Sequence, residues 1–262
     1  MNDKPMPRSQ RRTLSRLALA GLMVCLACTS PSGPGKARVR IGQFLWTTGQ
    51  ATVTWYHHDQ EVASTTLAYG ELSEYQSLAA RTYFVKIKAD DRLVLEKEIG
   101  LGTDGLYTVM LTGIPEDNQP VNKQSTGNRL HHLVEGAVAR TANDYLPQLI
   151  VQNDFFVPEP QRGSVRWVSL LPGTVPLDIS LRDDDREVTS VGGLAYPRSS
   201  DPQTAKPGEY ELAIHLDQRS APVDETPVHL EDGALHTYYL VPSERHYLTA
   251  PRVVEGVTRK PD

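Results

Sequence analysis

Cysteine is nearly missing from this 262-residue chain. There are two, Cys25 and Cys28, and none follows them. No disulfide can brace anything beyond residue 28, and thiol catalysis there is excluded. Basic residues are also in the minority, 27 Lys and Arg against 32 Asp and Glu, for a formal charge of −5. With no basic stripe to meet phosphates, nucleic acid is not an expected partner. Mild acidity of this kind favours solubility. The chain carries no H-E-x-x-H, no G-x-S-x-G, no P-loop and no dinucleotide fingerprint, so neither an enzyme nor a cofactor is expected. The apolar run 17–27 (LALAGLMVCLA) is too short to cross a bilayer as a stable helix.

That short run has a different meaning. Arg8, Arg11, Arg12 and Arg16 precede it, and small Ala27 and Cys28 close it. This is the pattern of a secretory signal. Cys28 directly after a small residue resembles the lipobox of bacterial lipoproteins, which implies acylation of Cys28 and removal of 1–27. Cys25, three residues before Cys28, departs from the Leu usual there, and plain secretion after cleavage near Ala27 is the alternative. A lone cysteine at the signal junction favours acylation, since two or more acyl chains hold a protein stably on a membrane. The expected location is the bacterial cell envelope, as a membrane-anchored lipoprotein. Thr29 after Cys28 resembles outer-membrane sorting.

Residues 29–36 read as a tether containing the flexible SPSGPGK. From Ala37 the apolar residues alternate, as in Val39/Ile41, Val53/Trp55, Tyr83/Val85/Ile87 and Tyr107/Val109/Leu111. Period-two alternation predicts half-buried strands. Turn residues punctuate them at Thr48-Gly49, His58-Asp59-Gln60, Ala89-Asp90-Asp91 and Asp104-Gly105.

The order then recurs. EVASTTLAY (61–69) is echoed by EVTSVGGLAY (187–196). Val39-Arg40 matches Val165-Arg166 at an offset of 126, Tyr83 and Ile87 match Tyr210 and Ile214 at 127, and Asp104-Gly105 matches Asp232-Gly233 at 128. An offset that drifts only at turns indicates a duplicated fold. The expectation is an all-β chain of two tandem Ig-like antiparallel β-sandwich domains. The first, 37–157, carries a short helical insertion at about 115–145, where Leu130, Leu133, Val134, Ala137 and Val138 keep helical spacing behind a cap at Asn128. Residues 158–163 form a hinge and 164–262 the second sandwich and tail. Tyr69, Tyr196, Tyr83 and Tyr210 read as core or corner residues with satisfied hydroxyls.

The repeated unit resembles a family of secreted bacterial β-sandwich domains, often in tandem and of unknown function. Ala37-Arg38-Val39-Arg40 and Leu67-Ala68-Tyr69-Gly70 carry the likeness in the first copy. Ser164-Val165-Arg166, Leu194-Ala195-Tyr196 and Lys206-Pro207-Gly208-Glu209-Tyr210 carry it in the second. The resemblance implies a fold and an envelope location and brings no catalytic residues. The layout is also similar to the periplasmic accessory proteins of alginate O-acetylation, a fold-level analogy that implies an adaptor.

Candidate chemistry is sparse. His57-His58 sits at a turn and His131-His132 in the insertion. Adjacent strand residues face opposite ways, so neither pair supplies two ligands to one metal, and solvated histidines are expected. Asp183-Asp184-Asp185 reads as a solvated turn. A metal-dependent hydrolase is the remote alternative. Function is expected where the copies differ: the 44–49 loop, the 128–141 insertion and the hinge. In that loop Phe44 and Trp46 are the candidate binding residues, for sugar or protein, against the alternative that Trp46 caps the sandwich end. Two roles remain open. One is a lipid-anchored, non-enzymatic binding or scaffold module touching envelope protein or polysaccharide. The other is an accessory subunit of an exopolysaccharide-modifying or secretion complex.

Overall fold

The computed structural model describes residues 35–46, 48–115, 146–184, 186–216, 221–243 and 251–260. Cys28, His131-His132 and the predicted helical insertion lie outside them. The described residues form strands and turns with no helix.

The first copy consists of β1 (Lys36–Leu45), β2 (Gln50–His57), β3 (Gln60–Ala68), β4 (Glu71–Leu72), β5 (Gln76–Ala79), β6 (Thr82–Ala89), β7 (Arg92–Gly100), β8 (Leu106–Gly113) and β9 (Gln148–Asn153). The second repeats them as β10 (Gly163–Ser169), β11 (Leu177–Asp183), β12 (Arg186–Leu194), β13 (Arg198–Ser199), β14 (Gln203–Ala205), β15 (Gly208–Leu216), β16 (Asp224–Leu230), β17 (Ala234–Val241) and β18 (Arg252–Arg259). Each copy has two sheets. In the first, β3-β2-β6-β7 faces β4-β1-β8-β9, with β5 also paired to β1. In the second, β12-β11-β15-β16 faces β13-β10-β17-β18, with β14 on β10.

The shared register makes the duplication concrete. Val53 sits opposite Ile87, and Ile179 opposite Ile214. Arg40 sits beside Thr108, and Arg166 beside Thr237, so the offset between copies is 126 from β1 to β10 and 129 from β8 to β17. The hairpin turns between β2 and β3 and between β11 and β12 place His58, Asp59 and Asp184 at positive φ. Asp and His tolerate that geometry better than most residues, which accounts for their place in both turns.

One expectation needs correction. The sheets are not purely antiparallel, because β1 pairs parallel with β8 and β10 parallel with β17. Side-chain alternation reports faces, not strand direction. The intervening strands give the chain ample length to return in the same direction.

β2 and β6 bury alternate residues, as a sheet with one solvated face should. β8, β10 and β17 are buried on nearly every residue, and so is β1 from Arg40 onward. Their odd and even positions serve different cores. Val39, Ile41, Val109 and Leu111 point into the first sandwich, and Val165, Trp167, Tyr238 and Leu240 into the second. The opposite faces contribute Phe44, Met110, Val168, Leu170, Tyr239 and Val241 to a third core shared by both copies. The inner sheets therefore pack on each other, and the described residues from Lys36 onward form one compact unit.

Each sandwich core holds one buried tryptophan, but on opposite sheets. Trp55 lies on β2, whose counterpart position in the second copy is Leu181, and Trp167 on β10, whose counterpart is Ile41. Exchanging bulk across the core preserves volume while the backbone plan stays the same.

Candidate functional site

Between the inner sheets lies a buried polar cluster built from the same position of both copies. Arg40 on β1 and Arg166 on β10 point into the shared face. Asp154, directly after β9, is 0% exposed and sits between them. Its Oδ1 takes a close ion pair from Arg166, and Arg40 stands 3.9 Å from Oδ2. Thr108 and Tyr75 both donate hydroxyl hydrogens to Oδ2, Tyr75 at 2.8 Å.

Both guanidinium groups make further hydrogen bonds. Arg40 donates to Thr108 Oγ1 at 2.7 Å, to the Val257 carbonyl at 3.1 Å and to the Tyr239 hydroxyl at 3.4 Å. Arg166 donates to the Asn153 carbonyl at 3.0 Å and to Thr237 Oγ1 at 3.1 Å. The Gln152 amide, turned oxygen-first, accepts from Arg166 Nε at 2.6 Å. Arg40 also lies over the Tyr75 ring, 4.8 Å from its centroid. Gly256 makes room for it, since a Cβ there would stand 2.9 Å from an Arg40 nitrogen. Burial pushes the Tyr75 and Tyr239 hydroxyls well above their usual pKa. Both hydroxyls serve as hydrogen-bond partners in the cluster.

The two tyrosines that end the sequence echo cross the same interface. Tyr69 donates to the carbonyl of Pro242 at 2.6 Å, and the Tyr196 hydroxyl accepts from Gln148 at 2.9 Å. The other tyrosine pair forms matched corners. Tyr83 donates to the Ala79 carbonyl at 2.9 Å and Tyr210 to the Lys206 carbonyl at 2.8 Å, each four residues back.

Of the two sequence-predicted binding residues, Phe44 falls elsewhere than expected, and Trp46 stands in the turn after β1. Phe44 is not in a loop. It lies within β1, 1% exposed, and stacks on Tyr239 with ring centroids 5.1 Å apart. The apolar face of the second copy covers it, so in this arrangement no ligand reaches it. Trp46 follows the strand, half-buried, and its N–H bonds the Gly113 carbonyl. The His57 and His58 rings are tilted against each other at their turn, with centroids 4.1 Å apart. Among the described residues no three His, Cys, Asp or Glu side chains gather as metal ligands would.

Sequence reasoning missed Asp154, Thr108, Thr237 and Tyr75 altogether. A signal was present. Arg40 and Arg166 occupy the same place in both copies, in strands whose second face, Gly42-Phe44 and Val168-Leu170, is too apolar for solvent.

The clasp is closed, with its charged groups paired to one another and to neighbouring hydroxyls and carbonyls. An open site lies at one end of β1, a pocket of about 490 Å³. Leu106, Phe155, Phe156, Val157 and Pro158 give it apolar walls, and Lys36, Arg38 and Lys260 stand on it with Asp104 as the carboxylate among its lining residues. Phe155 and Val157 are 70% and 72% exposed. The segment they occupy belongs to the connection between the copies, whose second half is tied down where Gly233 N–H bonds the Arg162 carbonyl at 2.9 Å.

No protein-family model matches the chain, and no curated protein does. Among solved structures it is similar to the TIE protein of Bacillus anthracis, with 8% identity and a TM-score of 0.25 over 79% of this chain and 34% of that one. It is also similar to a leucine-rich repeat protein from Bacteroides thetaiotaomicron, with 13% identity and a TM-score of 0.20 over 83% of this chain and 27% of that one. A third is a candidate cell adhesion protein from Bacteroides ovatus, with 11% identity and a TM-score of 0.22 over 86% of this chain and 97% of that one. The chain thus spans about a third or less of the first two proteins. At overlaps this low, fold and function rest on the chain's own residues.

Proposed function

We propose that the chain is a lipid-anchored protein of the bacterial cell envelope that acts as a non-enzymatic binding or scaffold module. Its two halves are two Ig-like sandwiches held as one block. The observation that carries this reading is the Arg40–Asp154–Arg166 clasp. Its charged side chains are directed into the junction between the copies, with their hydrogen bonds spent on each other, on neighbouring side chains and on backbone. A buried ionic network of this kind contributes little net stability and favours one relative placement over others. Fixed placement of two domains is what a scaffold needs to present surfaces at a set spacing, and it supplies nothing to bond chemistry.

The anchor half of the reading is tested by Cys28→Ser in the native host. The expected result is movement of the protein from the membrane fraction to the soluble one. Retention in membranes without acylation overturns it. The non-enzymatic half is tested by screening the purified chain against esters, glycosides and phosphoesters, with and without divalent metals. Turnover abolished by a point substitution at its own site would overturn that half.

A further inference from the structure

We infer that the pocket at the start of β1 is a membrane-docking face that rests on anionic phospholipid. The inference deepens the lipid-anchor reading and rests on it. Two independent features of the pocket point the same way.

The first is its chemistry. Phe155 and Val157 have the highest exposure of the large apolar side chains that reach solvent among the described residues, 70% and 72%, and both line this pocket. Soluble surfaces scatter such residues singly and rarely cluster them. Around them Lys36, Arg38 and Lys260 bring three cations against one carboxylate, Asp104, in a chain whose overall charge is −5. The local sign is opposite to that of the whole molecule. Aromatic and aliphatic tips flanked by lysine and arginine fit the boundary between acyl chains and anionic headgroups. An acidic soluble ligand would use the cations but leave Phe155 and Val157 in water.

The second is its place in the chain. Lys36 opens β1 and also lines the pocket. Seven residues, 29–35, separate it from Cys28, and an extended chain over those eight Cα–Cα steps spans at most about 29 Å. Acylation at Cys28 therefore keeps this face, more than any other part of the fold, within reach of the bilayer. A short tether raises the effective concentration of lipid, so weak surface contacts suffice.

The test uses the full protein purified from host membranes and placed in vesicles of phosphatidylcholine alone or with about one-third phosphatidylglycerol. Flotation with the vesicles reads the anchor. Hydrogen exchange of the Phe156 and Val157 backbone amides reads docking. The expected result is exchange slowed about ten-fold or more in the anionic vesicles only. Each cation near an anionic surface is worth about a five-fold gain in partitioning, so K36E with K260E should weaken docking about 25-fold or more and abolish the slowing. F155S with V157S should abolish it too, and unchanged thermal melting separates loss of docking from loss of fold. Protein that floats but exchanges alike in both vesicles overturns the docking inference and leaves the anchor standing. If the protein does not float, the anchor reading falls. The same exchange measurement with vesicles added to the soluble chain then decides docking on its own. Slowing by an acidic protein partner, and not by anionic vesicles, also overturns it.

Discussion

Replacing Asp154 with asparagine is the sharpest probe of the clasp. The carboxylate is 0% exposed, meets Arg166 and Arg40, and accepts from Thr108 and Tyr75. Asparagine keeps the shape but turns one acceptor oxygen into an NH₂ that faces existing donors. The buried set changes from two cations and one anion to two cations alone. Removing one partner of a buried pair costs about 3–5 kcal/mol, chiefly because the other charge stays buried. The lost hydroxyl contacts share that network and do not add independently. A loss near 4 kcal/mol is expected, a large part of the roughly 5–15 kcal/mol that holds a domain folded. Urea unfolding at neutral pH, followed by circular dichroism, measures it as a lower midpoint. Because the clasp joins the copies, the transition should also broaden or split as each sandwich unfolds separately. Substituting Met, Leu and Met at Arg40, Asp154 and Arg166 removes every charge at once and should recover most of the loss. A cost below about 1 kcal/mol for Asp154→Asn, or a triple variant less stable than the single one, would refute the argument.

Two more outcomes are expected of the same interface. Tyr69→Phe and Tyr196→Phe each remove one hydrogen bond across it and should each lower unfolding stability by about 1 kcal/mol. Because the two bonds share no residue, the double variant should be close to additive, and a midpoint unmoved by both would count against a joining role. The second outcome concerns acid. His236 is buried, its Nε2 accepting from Glu231 N–H at 2.9 Å and its Nδ1 facing Glu255 at 2.7 Å. The His236 contact holds the Glu255 carboxyl below its usual pKa, against the opposing effect of partial burial. Its contribution to stability is therefore complete above the unfolded value near 4.3 and fades as pH falls through the lower folded value. Glu255→Gln should cost less than about 1 kcal/mol at pH 7, the pair being part-exposed, and the gap from the parent should close below about pH 4. A gap that widens on acidification has the wrong sign.

Much of the fold was legible because its determinants are local. Alternation located the strands, Asp and His marked the hairpin turns, and an offset that drifts only at turns, from Val39-Arg40 and Val165-Arg166 to Asp104-Gly105 and Asp232-Gly233, exposed the duplication. What was not legible is non-local. Arg40 reads as one polar residue on a half-buried strand. Its partners lie 68 residues away at Thr108, 114 at Asp154 and 199 at Tyr239, and no periodicity reports them. Phe44 was misplaced for a related reason. Copy one lacks the turn residues that end β10 in copy two, and that gap looked like a loop. The strand in fact runs on to Leu45 because its second face is covered by Tyr239. The pocket escaped notice because Lys36, Phe155 and Lys260 come from three distant parts of the chain.

The duplication is informative where it breaks. Asp154 follows β9 as Thr258 sits within β18, since Asp154 bonds back to Leu106 and Thr258 pairs with Leu235, the matching residue. A carboxylate thus stands in one copy and a hydroxyl in the other, and both touch the hydroxyl of Tyr75. The arginine, by contrast, stands in both. The first copy alone brings a balanced pair, and the second brings a cation without its anion. Two second copies pairing through these faces would bury two Arg166 guanidinia with no carboxylate between them, which costs several kcal/mol per ion. A first copy and a second copy share Asp154 and escape most of that cost. The asymmetry therefore selects the pairing of unlike copies found within one chain and disfavours association of like second copies between chains, specificity obtained by leaving a wrong pairing unsatisfied.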